Sequence, residues 1–291
     1  MTYEIDVLAD YDCKCGENPL WHPDEKRVYW TDIDTGRMFW FDPATSHHEQ
    51  CFDMPSRKVG GFTIQADGAL LLFMDRGEIS LYRDGKLEPI IREIQRERKN
   101  RFNDVIADPE GRVFCGVICT AAEPNGVLYR LDPDASLTIV QEKVGCSNGM
   151  GFTRNLKKMY YTDSWPHEIY VYDYDRATGA ISNRQTLVSR PGTVDTCDGM
   201  TLDENGDIWS AFWGEGYVRQ FSPDGTLKQE IKLPATRISS CTFGGDDLAD
   251  MYLTTATAEK KHENDGALLR IRNLGVKGVP EFRSRIGLSS K

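Results

Sequence analysis

Short apolar runs recur along the chain at a nearly constant spacing, and each follows Gly, Asp or Lys residues typical of turns. Six runs have the composition of β-strands: KRVYWTDI (26–33), DGALLLFM (67–74), EGRVFCGV (110–117), LKKMYYTD (156–163), NGDIWSAF (205–212) and ADMYLTTA (249–256). Equivalent positions in them lie 42 to 49 residues apart: Val28, Leu71, Val113, Met159, Ile208 and Met251. A repeat of this length, with several strands and almost no helical pattern, is typical of a β-propeller blade.

A second apolar run follows each of these six and is rich in Tyr, Phe, Ile and Val. These partner runs are GRMFWFDPAT, GEISLYRDGK, GVLYRLDPDA, HEIYVYDYDRATG, GYVRQFSPDG and GALLRIRNLG. Six repeats fit the 291 residues, and no Pro/Gly/Ser-rich linker interrupts the period. We therefore expect an all-β protein in which residues 1–291 form a single six-bladed β-propeller domain.

One strand-like segment, YEIDVLADY (3–11), has no blade of its own. A propeller must close its ring, so we expect this segment to pair with the C-terminal strands and complete the last blade. That pairing would cover a strand edge that could otherwise pair with another chain.

Polar residues occupy the same phase in most repeats, eleven or twelve residues before the aromatic residue of the strand that follows. They are Glu17, Asn103, Asn148, Asp198 and Ser240, while the second repeat has glycine there, in KVGGF (58–62). The innermost strand of each blade runs along the central channel of a propeller. Side chains at this phase are therefore expected to meet near the axis.

Two carboxylates and two amides at one axis would repel each other or lack partners unless a cation joined them. Glu17 and Asp198 balance the charge of a divalent ion, and Asn148 adds a neutral oxygen. Oxygen ligands suit Ca²⁺, Mg²⁺ and Mn²⁺, and open Zn²⁺ sites also accept them. Three protein oxygens leave positions for water and ligand, which is typical of a catalytic metal. The alternative is that these are ordinary polar residues hydrogen-bonded to backbone.

Asp198 and Asp203 lie close together in the chain but have different contexts. Asp203 stands in DENGD, which has the composition of a hairpin turn and is similar to DPEG, SPDG and QADG in other repeats. Asp198 instead belongs to the series of polar residues that is expected to meet near the axis. We therefore interpret Asp203 as a turn residue and Asp198 as the residue that carries chemistry.

Charge and composition narrow the possible partners. The net charge of −10 argues against a nucleic-acid partner, which requires a basic face. No apolar run approaches the roughly 18 residues that span a bilayer, and the N-terminus lacks the features of a signal peptide. We expect no membrane partner, a cytoplasmic location, reduced thiols at the eight cysteines, and a monomer or weak homodimer.

Segments along nearly the whole chain resemble the senescence-marker protein, regucalcin and gluconolactonase family of six-bladed propellers. They include CKCGENPLW, RFNDVIADPEGR, SNGMGF, DGMTLDENGDIW, LPATRISSCTFGG and LLRIRNLGVKGVP. The resemblance implies one divalent metal ion in the channel. By motif match its ligands are Glu17, Asn148 and Asp198, and the RFND segment implies substrate contacts from Arg101 and Asn103.

One segment departs from the pattern of the mammalian family members, which have an acidic stretch where substrate hydroxyls are recognised. The corresponding segment is CGVICTAAEPNG (115–126), with Ala121 at the matching position and Glu123 two residues later. We expect Glu123 to contact substrate. The substrate preference of the mammalian members is not transferred to this chain.

The resemblance implies hydrolysis of a sugar lactone, such as a gluconolactone or a pentonolactone, to the aldonic acid. The metal would polarise the carbonyl and Asp198 would act as general base. Two alternatives stay open: a metal-dependent phosphotriester or ester hydrolase of the same fold, and a non-enzymatic calcium-binding regulatory protein. A propeller used only as a protein-binding platform would leave the axial carboxylates unexplained.

Overall fold

A computed structural model describes residues 3–119, 124–258 and 262–288. These residues form six four-stranded antiparallel sheets and one short 3-10 helix, Gln95–Glu97. No helix in this part of the chain is long and apolar enough to cross a membrane. The predicted all-β fold, a six-bladed β-propeller, is confirmed.

The strands follow one another from the channel outwards in each of the first five blades. Blades 1 to 3 contain β2 (Gly16–His22), β3 (Arg27–Asp32), β4 (Arg37–Asp42) and β5 (His47–Asp53); β6 (Val59–Ile64), β7 (Leu70–Met74), β8 (Ile79–Arg83) and β9 (Lys86–Ile91); and β10 (Arg101–Ala107), β11 (Val113–Ile118), β12 (Gly126–Leu131) and β13 (Leu137–Val144). Blades 4 to 6 contain β14 (Ser147–Phe152), β15 (Lys158–Asp163), β16 (Glu168–Asp175) and β17 (Ala180–Ser189); β18 (Thr196–Leu202), β19 (Ile208–Trp213), β20 (Tyr217–Phe221) and β21 (Leu227–Lys232); and β22 (Ile238–Gly244), β23 (Asp250–Thr255), β24 (Ala267–Arg272) and β1 (Glu4–Asp10).

The first strands of the blades form the innermost layer of the ring. They contact one another in the cyclic order β2, β6, β10, β14, β18, β22 and back to β2. All residues of β14 are buried, whereas in the outermost strand β21 only Ile231 is buried. This gradient arises because inner strands are covered on both faces and outer strands meet solvent.

Hydrophobic clusters lie between neighbouring blades. One joins Trp209 of blade 5 to Phe243 and Leu253 of blade 6, and each of the other five neighbouring pairs of blades has a comparable cluster among the described residues. Fully burying a large apolar side chain stabilises a fold by about 1.5–3 kcal/mol. The ring is therefore held together by face-to-face packing of sheets.

The turn between the first and second strands of blade 5 depends on Asp203. Its Oδ1 accepts hydrogen bonds from the backbone N–H groups of Asn205 (2.9 Å) and Asp207 (3.0 Å), and Gly206 adopts a φ of 86°. Its Oδ2 accepts a hydrogen bond from the Trp209 indole at 3.0 Å. The interpretation of Asp203 as a turn residue is confirmed.

The N-terminal strand closes the ring. β1 is the outermost strand of blade 6 and pairs antiparallel with β24, as predicted. The Asp6 carboxylate accepts hydrogen bonds from the Arg270 and Arg272 guanidinium groups on β24, each with a shortest distance of 2.9 Å. Ion pairs therefore reinforce the backbone ladder where the N-terminal strand joins blade 6.

The C-terminal segment 273–288, which we call the strap, crosses one face of the propeller. It contacts the turns between first and second strands in several blades: the Arg283 guanidinium donates to Asp24 at 2.6 Å, and Ser284 and Gly278 form β-bridges with Gln65 and Asp203. The predicted ligands lie near the opposite ends of their first strands. The strap therefore covers the face of the ring away from the predicted metal site.

Replacing Asp6 by Asn should lower the free energy of unfolding by about 1 kcal/mol near neutral pH, because exposed ion pairs contribute about 0.2–1 kcal/mol each. The hydrogen bond from Arg272 and, secondarily, that from Arg270 lower the pKa of Asp6 below its ordinary value of 3.8. This contribution is therefore present above that value and disappears as the pH falls through the lowered pKa. Urea unfolding of both proteins at about pH 7 and about pH 2.5 measures the change.

The matched control is Glu88→Gln, which also removes one negative charge from an exposed strand position. Within the described residues the Glu88 side chain has no hydrogen bond or ion pair, so the free energy of unfolding of this variant should equal that of the wild type. An Asp6→Asn protein with wild-type stability at neutral pH would contradict the role assigned to Asp6 in ring closure.

Candidate active site

Every innermost strand contains one extra residue relative to its partner strand, at the same place in each blade. These β-bulges lie between Glu17 and Leu20, Val59 and Gly61, Phe102 and Val105, Ser147 and Met150, Cys197 and Met200, and Ile238 and Ser240. A bulge bends the strand and redirects a side chain. The position at which the repeats of the sequence carry polar residues thus coincides with the position of the bulges. All five axial polar residues lie in or beside a bulge.

Glycines next to two of the predicted ligands allow neighbouring inner strands to approach closely. A Cβ atom on Gly149, which follows Asn148, would lie 2.7 Å from the backbone oxygen of Asp198. Real Cβ atoms do not make such contacts, so only glycine fits there. Asn148 and Asp198 therefore lie on two inner strands, β14 and β18, that pack closely against each other.

Aspartates at the ends of second strands fix the chain as it enters the bulges. Asp32 Oδ1 accepts the backbone N–H of Cys15 at 2.9 Å, two residues before Glu17. Asp163 Oδ1 accepts the N–H of Cys146 at 2.9 Å, two residues before Asn148. Both aspartates are buried, and each holds the backbone just ahead of a predicted ligand.

The two predicted carboxylate ligands are buried with few partners. Glu17 is 7 % exposed and Asp198 is 5 % exposed. Glu17 Oε2 accepts the N–H of Asn18 at 3.2 Å, whereas the buried Asp198 Oδ1 has no hydrogen-bond partner among the described residues. A buried carboxylate oxygen without a partner is costly, which indicates that another group satisfies it in the working protein.

Electrostatics at the site favour a positive partner. Burial, together with the nearby charge of Asp104, raises the pKa of Glu17 to about 8. Burial and the charge of Glu17 raise the pKa of Asp198 well above its ordinary value. The Arg101 guanidinium opposes both shifts but does not cancel them. These are the shifts expected where carboxylates share a low-dielectric site without a cation.

Two of the three residues predicted to contact substrate, Arg101 and Asn103, lie beside one of the predicted ligands. The Arg101 guanidinium donates to Asn103 Oδ1 and, at 3.0 Å, to the Phe102 carbonyl. Asn103 Nδ2 donates to Asn148 Oδ1 at 2.9 Å. The structure therefore brings Arg101 and Asn103 into one hydrogen-bonded group with Asn148.

The donor set at the axis fits a hard divalent cation. Glu17 and Asp198 would supply two negative charges to such an ion, and the Asn148 amide oxygen would be a neutral ligand. In the part of the chain that the structure describes, no three His, Cys, Asp or Glu side chains gather as a metal-binding group, so an ion at this place would need an amide oxygen as a third protein ligand. The orphaned Asp198 Oδ1 is the observation that supports this fit most directly.

The prediction for Glu123 stays a prediction. Glu123 and Ala121 both lie outside the described residues, in the segment between β11 and β12. The segment joins strands of blade 3, the blade that also carries Arg101 and Asn103.

Two further carboxylates line the channel below the site, and our sequence reasoning did not single them out. Asp104 and Glu281 border a cavity of about 50 Å³ together with Asn18 and Ser240. Burial raises the pKa of Asp104 to about 6, and burial together with the charge of Asp104 raises that of Glu281 to about 7. Asp104 follows Asn103 and could have been found in the same motif, whereas Glu281 lies on the strap, outside the repeat.

Six blades whose bulged inner strands carry buried acidic and amide side chains at equivalent positions define a propeller with a candidate site in its central channel. The model of the SMP-30/Gluconolactonase/LRE-like region matches residues 15–257. The chain belongs to this family.

Similar proteins match over nearly their whole length. The chain is 43% identical to pentonolactonase XacC of Haloferax volcanii, with 97% of this chain and 98% of that protein covered. It is 32% identical to regucalcin of Danio rerio, with 97% of this chain and 98% of that protein covered. The solved structure of a luciferin-regenerating enzyme superimposes with a TM-score of 0.89 at 26% identity, covering 98% of this chain and all of that one.

Adding a divalent ion to chelator-treated protein should raise its free energy of unfolding. At a free concentration of 100 times the dissociation constant the expected gain is about 2.7 kcal/mol. In Glu17→Gln this gain should be lost, since one of the two charges that attract the ion is gone. Without ions the variant should be no less stable than the wild type, because a buried carboxylate is costly. Urea unfolding with Ca²⁺, Mg²⁺, Mn²⁺ or Zn²⁺ measures both effects.

Glu88→Gln serves again as the matched control and should respond to ions as the wild type does. If none of the four ions stabilised the wild-type protein, the axial residues would not form a metal site.

Proposed function

We propose that this protein is a divalent-cation-dependent lactonase that opens a sugar lactone to the corresponding aldonic acid. The observation that carries the proposal is the buried Asp198 carboxylate, whose Oδ1 has no hydrogen-bond partner among the described residues and whose pKa is raised by burial and by the charge of Glu17. The family, and the 43% identity to a pentonolactonase over the whole chain, support the substrate class.

Glu17, Asn148 and Asp198 would hold the cation through their side-chain oxygens. When bound, a divalent ion supplies Lewis acidity toward the lactone carbonyl, a contribution of several kcal/mol to the stability of the transition state. The charge of Glu17 and Asp198 matches that of the ion, so no further protein anion is needed for neutrality. The rest of the reaction depends on residues of the chain itself.

Asp198 is the general base in this mechanism. It takes a proton from a water molecule as the water oxygen forms a bond to the lactone carbonyl carbon. The bond between that carbon and the ring oxygen then breaks, and the proton held by Asp198 passes to the ring oxygen. One water is consumed, and the product carries a carboxyl group and a new hydroxyl group.

Arg101 and Asn103 would bind and orient the substrate. Arg101 is only partly buried, so its remaining N–H groups can donate to sugar hydroxyls or to the developing oxyanion. Asn103 is buried, with 5 % of its surface exposed, and its amide is held by hydrogen bonds on both sides. A group held in this way loses little entropy when substrate binds.

A pentonolactone is the substrate we favour among the aldonolactones. The relative with 43% identity is named a pentonolactonase, and the alignment covers both chains almost completely. Glu123 is proposed to contact the sugar hydroxyls in place of the acidic residue of the mammalian members. The choice between a five-carbon and a six-carbon lactone then depends on the segment 120–123.

Replacing Asp198 by Asn should lower kcat by about 10²- to 10⁴-fold, the usual contribution of a general base. Loss of a ligand charge should weaken metal binding as well, so activity is measured over a range of metal concentrations. The assay follows acid release from a pentonolactone and from glucono-δ-lactone with a pH indicator. The control is Asp224→Asn in an exposed outer turn of the same blade, which should keep wild-type turnover. Wild-type kcat in a folded Asp198→Asn protein would remove Asp198 from the mechanism.

A substrate panel separates the three functions that the sequence left open. The expected result is turnover of aldonolactones that stops with a chelator and returns with Mn²⁺, Zn²⁺, Mg²⁺ or Ca²⁺. Turnover of a phosphotriester at a higher kcat/KM than any lactone would favour the alternative hydrolase. Tight Ca²⁺ binding in calorimetry without turnover of any substrate would favour a calcium-binding regulatory protein.

A further inference from the structure

A continuous series of hydrogen bonds crosses blades 3, 4 and 5 beside the channel. We call it the relay. It runs from Arg101 to Asn103, from Asn103 to Asn148 (2.9 Å), from Asn148 to Ser164 (2.7 Å) and from Ser164 to the Cys197 carbonyl (2.7 Å). Cys197 directly precedes Asp198. The relay therefore connects a proposed substrate residue, one proposed ligand and the backbone beside another.

The end of the relay at blade 5 determines how Ser164 bonds. A carbonyl oxygen only accepts, so the single hydroxyl proton of Ser164 is donated to Cys197 O. Toward Asn148, Ser164 Oγ can then only accept. Asn148 must present its NH₂ group to Ser164, which leaves its carbonyl oxygen Oδ1 on the other side.

The end of the relay at blade 3 requires the same orientation of the Asn148 amide. A guanidinium group only donates, so Asn103 presents Oδ1 to Arg101. The Asn103 NH₂ group is then available to Asn148 Oδ1 and to the Ser147 carbonyl, which it reaches at 2.7 Å. Both ends therefore select one orientation of each amide. All donors point from Arg101 toward Cys197.

Asn148 Oδ1 has two lone pairs, and the relay uses one of them. The bond from Asn103 Nδ2 leaves the second lone pair for a cation. If the Asn148 amide rotated by 180°, it would direct an NH₂ group toward the axis, and an NH₂ group cannot bind a cation. The orientation of this amide therefore decides whether Asn148 is a ligand.

We propose that Ser164 is the positioning residue that orients the Asn148 amide for metal binding. This inference rests on the proposed function, because it concerns the same site. The backbone of Ser164 is held separately from its side chain: its N–H donates to Cys146 O at 3.0 Å, and its carbonyl accepts from Thr196 Oγ1 at 2.7 Å. Removing the hydroxyl should leave the backbone in place and remove one of the two relay hydrogen bonds that orient the amide.

The test is the dissociation constant for Mn²⁺, measured by calorimetry on folded, chelator-treated protein. Ser164→Ala should raise it about 10- to 100-fold, the usual effect of losing a group that orients a metal ligand. Ser164→Thr, which keeps the hydroxyl, should stay within about 3-fold of the wild type by the same reasoning. With Mn²⁺ in large excess, the kcat of Ser164→Ala should return to near the wild-type value, because mass action restores binding.

A matched control is Ser80→Ala in blade 2. Ser80 is fully buried and donates to Glu78 at 2.7 Å, but it lies outside the relay. Its removal should leave the dissociation constant unchanged. If Ser164→Ala bound Mn²⁺ within about twofold of the wild type, or if Ser80→Ala weakened binding equally, the inference would be overturned.

A double-mutant cycle isolates the orientation effect. Asn148→Asp places an oxygen on both sides of the group, so orientation no longer matters, and adding Ser164→Ala should then change the Mn²⁺ dissociation constant less than about twofold. An undiminished effect in this background would contradict the inference. If Ser164→Ala is too unstable, Ser164→Cys keeps the size but bonds weakly, and it should raise the dissociation constant at least about 5-fold.

These outcomes are distinct from those that test the proposed function. A wild-type protein that binds Mn²⁺ but turns over no lactone would overturn the lactonase proposal alone, and the ratio of dissociation constants would still decide the role of Ser164. A wild-type protein that binds no Mn²⁺ would overturn the inference, because there would be no ligand to orient.

Discussion

The close approach of neighbouring innermost strands is the constraint on which the site depends. Six sheets packed face to face around one axis bring their first strands together at the channel. At this separation, positions such as Gly149 have no space for a Cβ atom. One extra residue in each first strand forms a bulge, and the polar residues of the axial series lie in or beside five of these bulges. A larger residue at such a glycine would push apart the strands that carry Asn148 and Asp198.

That convergence has an electrostatic cost. Glu17 and Asp198 are both buried, and burial together with neighbouring negative charge raises the pKa of each. The charge of Asp104 adds to this effect at both groups, and the Arg101 guanidinium only partly offsets it. The proposed divalent cation would offset the charge of these groups without changing the fold. The proposed chemistry therefore uses charge that the packing of the ring has already concentrated.

The relay shows how backbone and side chains act together at such a site. Its two ends are groups with a fixed hydrogen-bonding role, a guanidinium and a carbonyl, and the amides between them have no freedom to reverse. Networks in which every member is satisfied hold one arrangement of the site. Ser164 takes part although it lies at the end of a second strand rather than in the axial series. Residues that orient a ligand can thus come from a different layer of the blade.

The sequence by itself determined the number of blades, the closure by the N-terminal strand, the turn role of Asp203 and the common phase of Glu17, Asn148 and Asp198. These are readable because each repeat obeys the same local rules of alternation and turn chemistry. Only the tertiary structure decided that the common phase corresponds to β-bulges, that Ser164 faces Asn148, and that the strap brings Glu281 beneath the site. Such contacts join residues far apart in the chain or on different strands, and no local pattern encodes which side chains will meet across a channel.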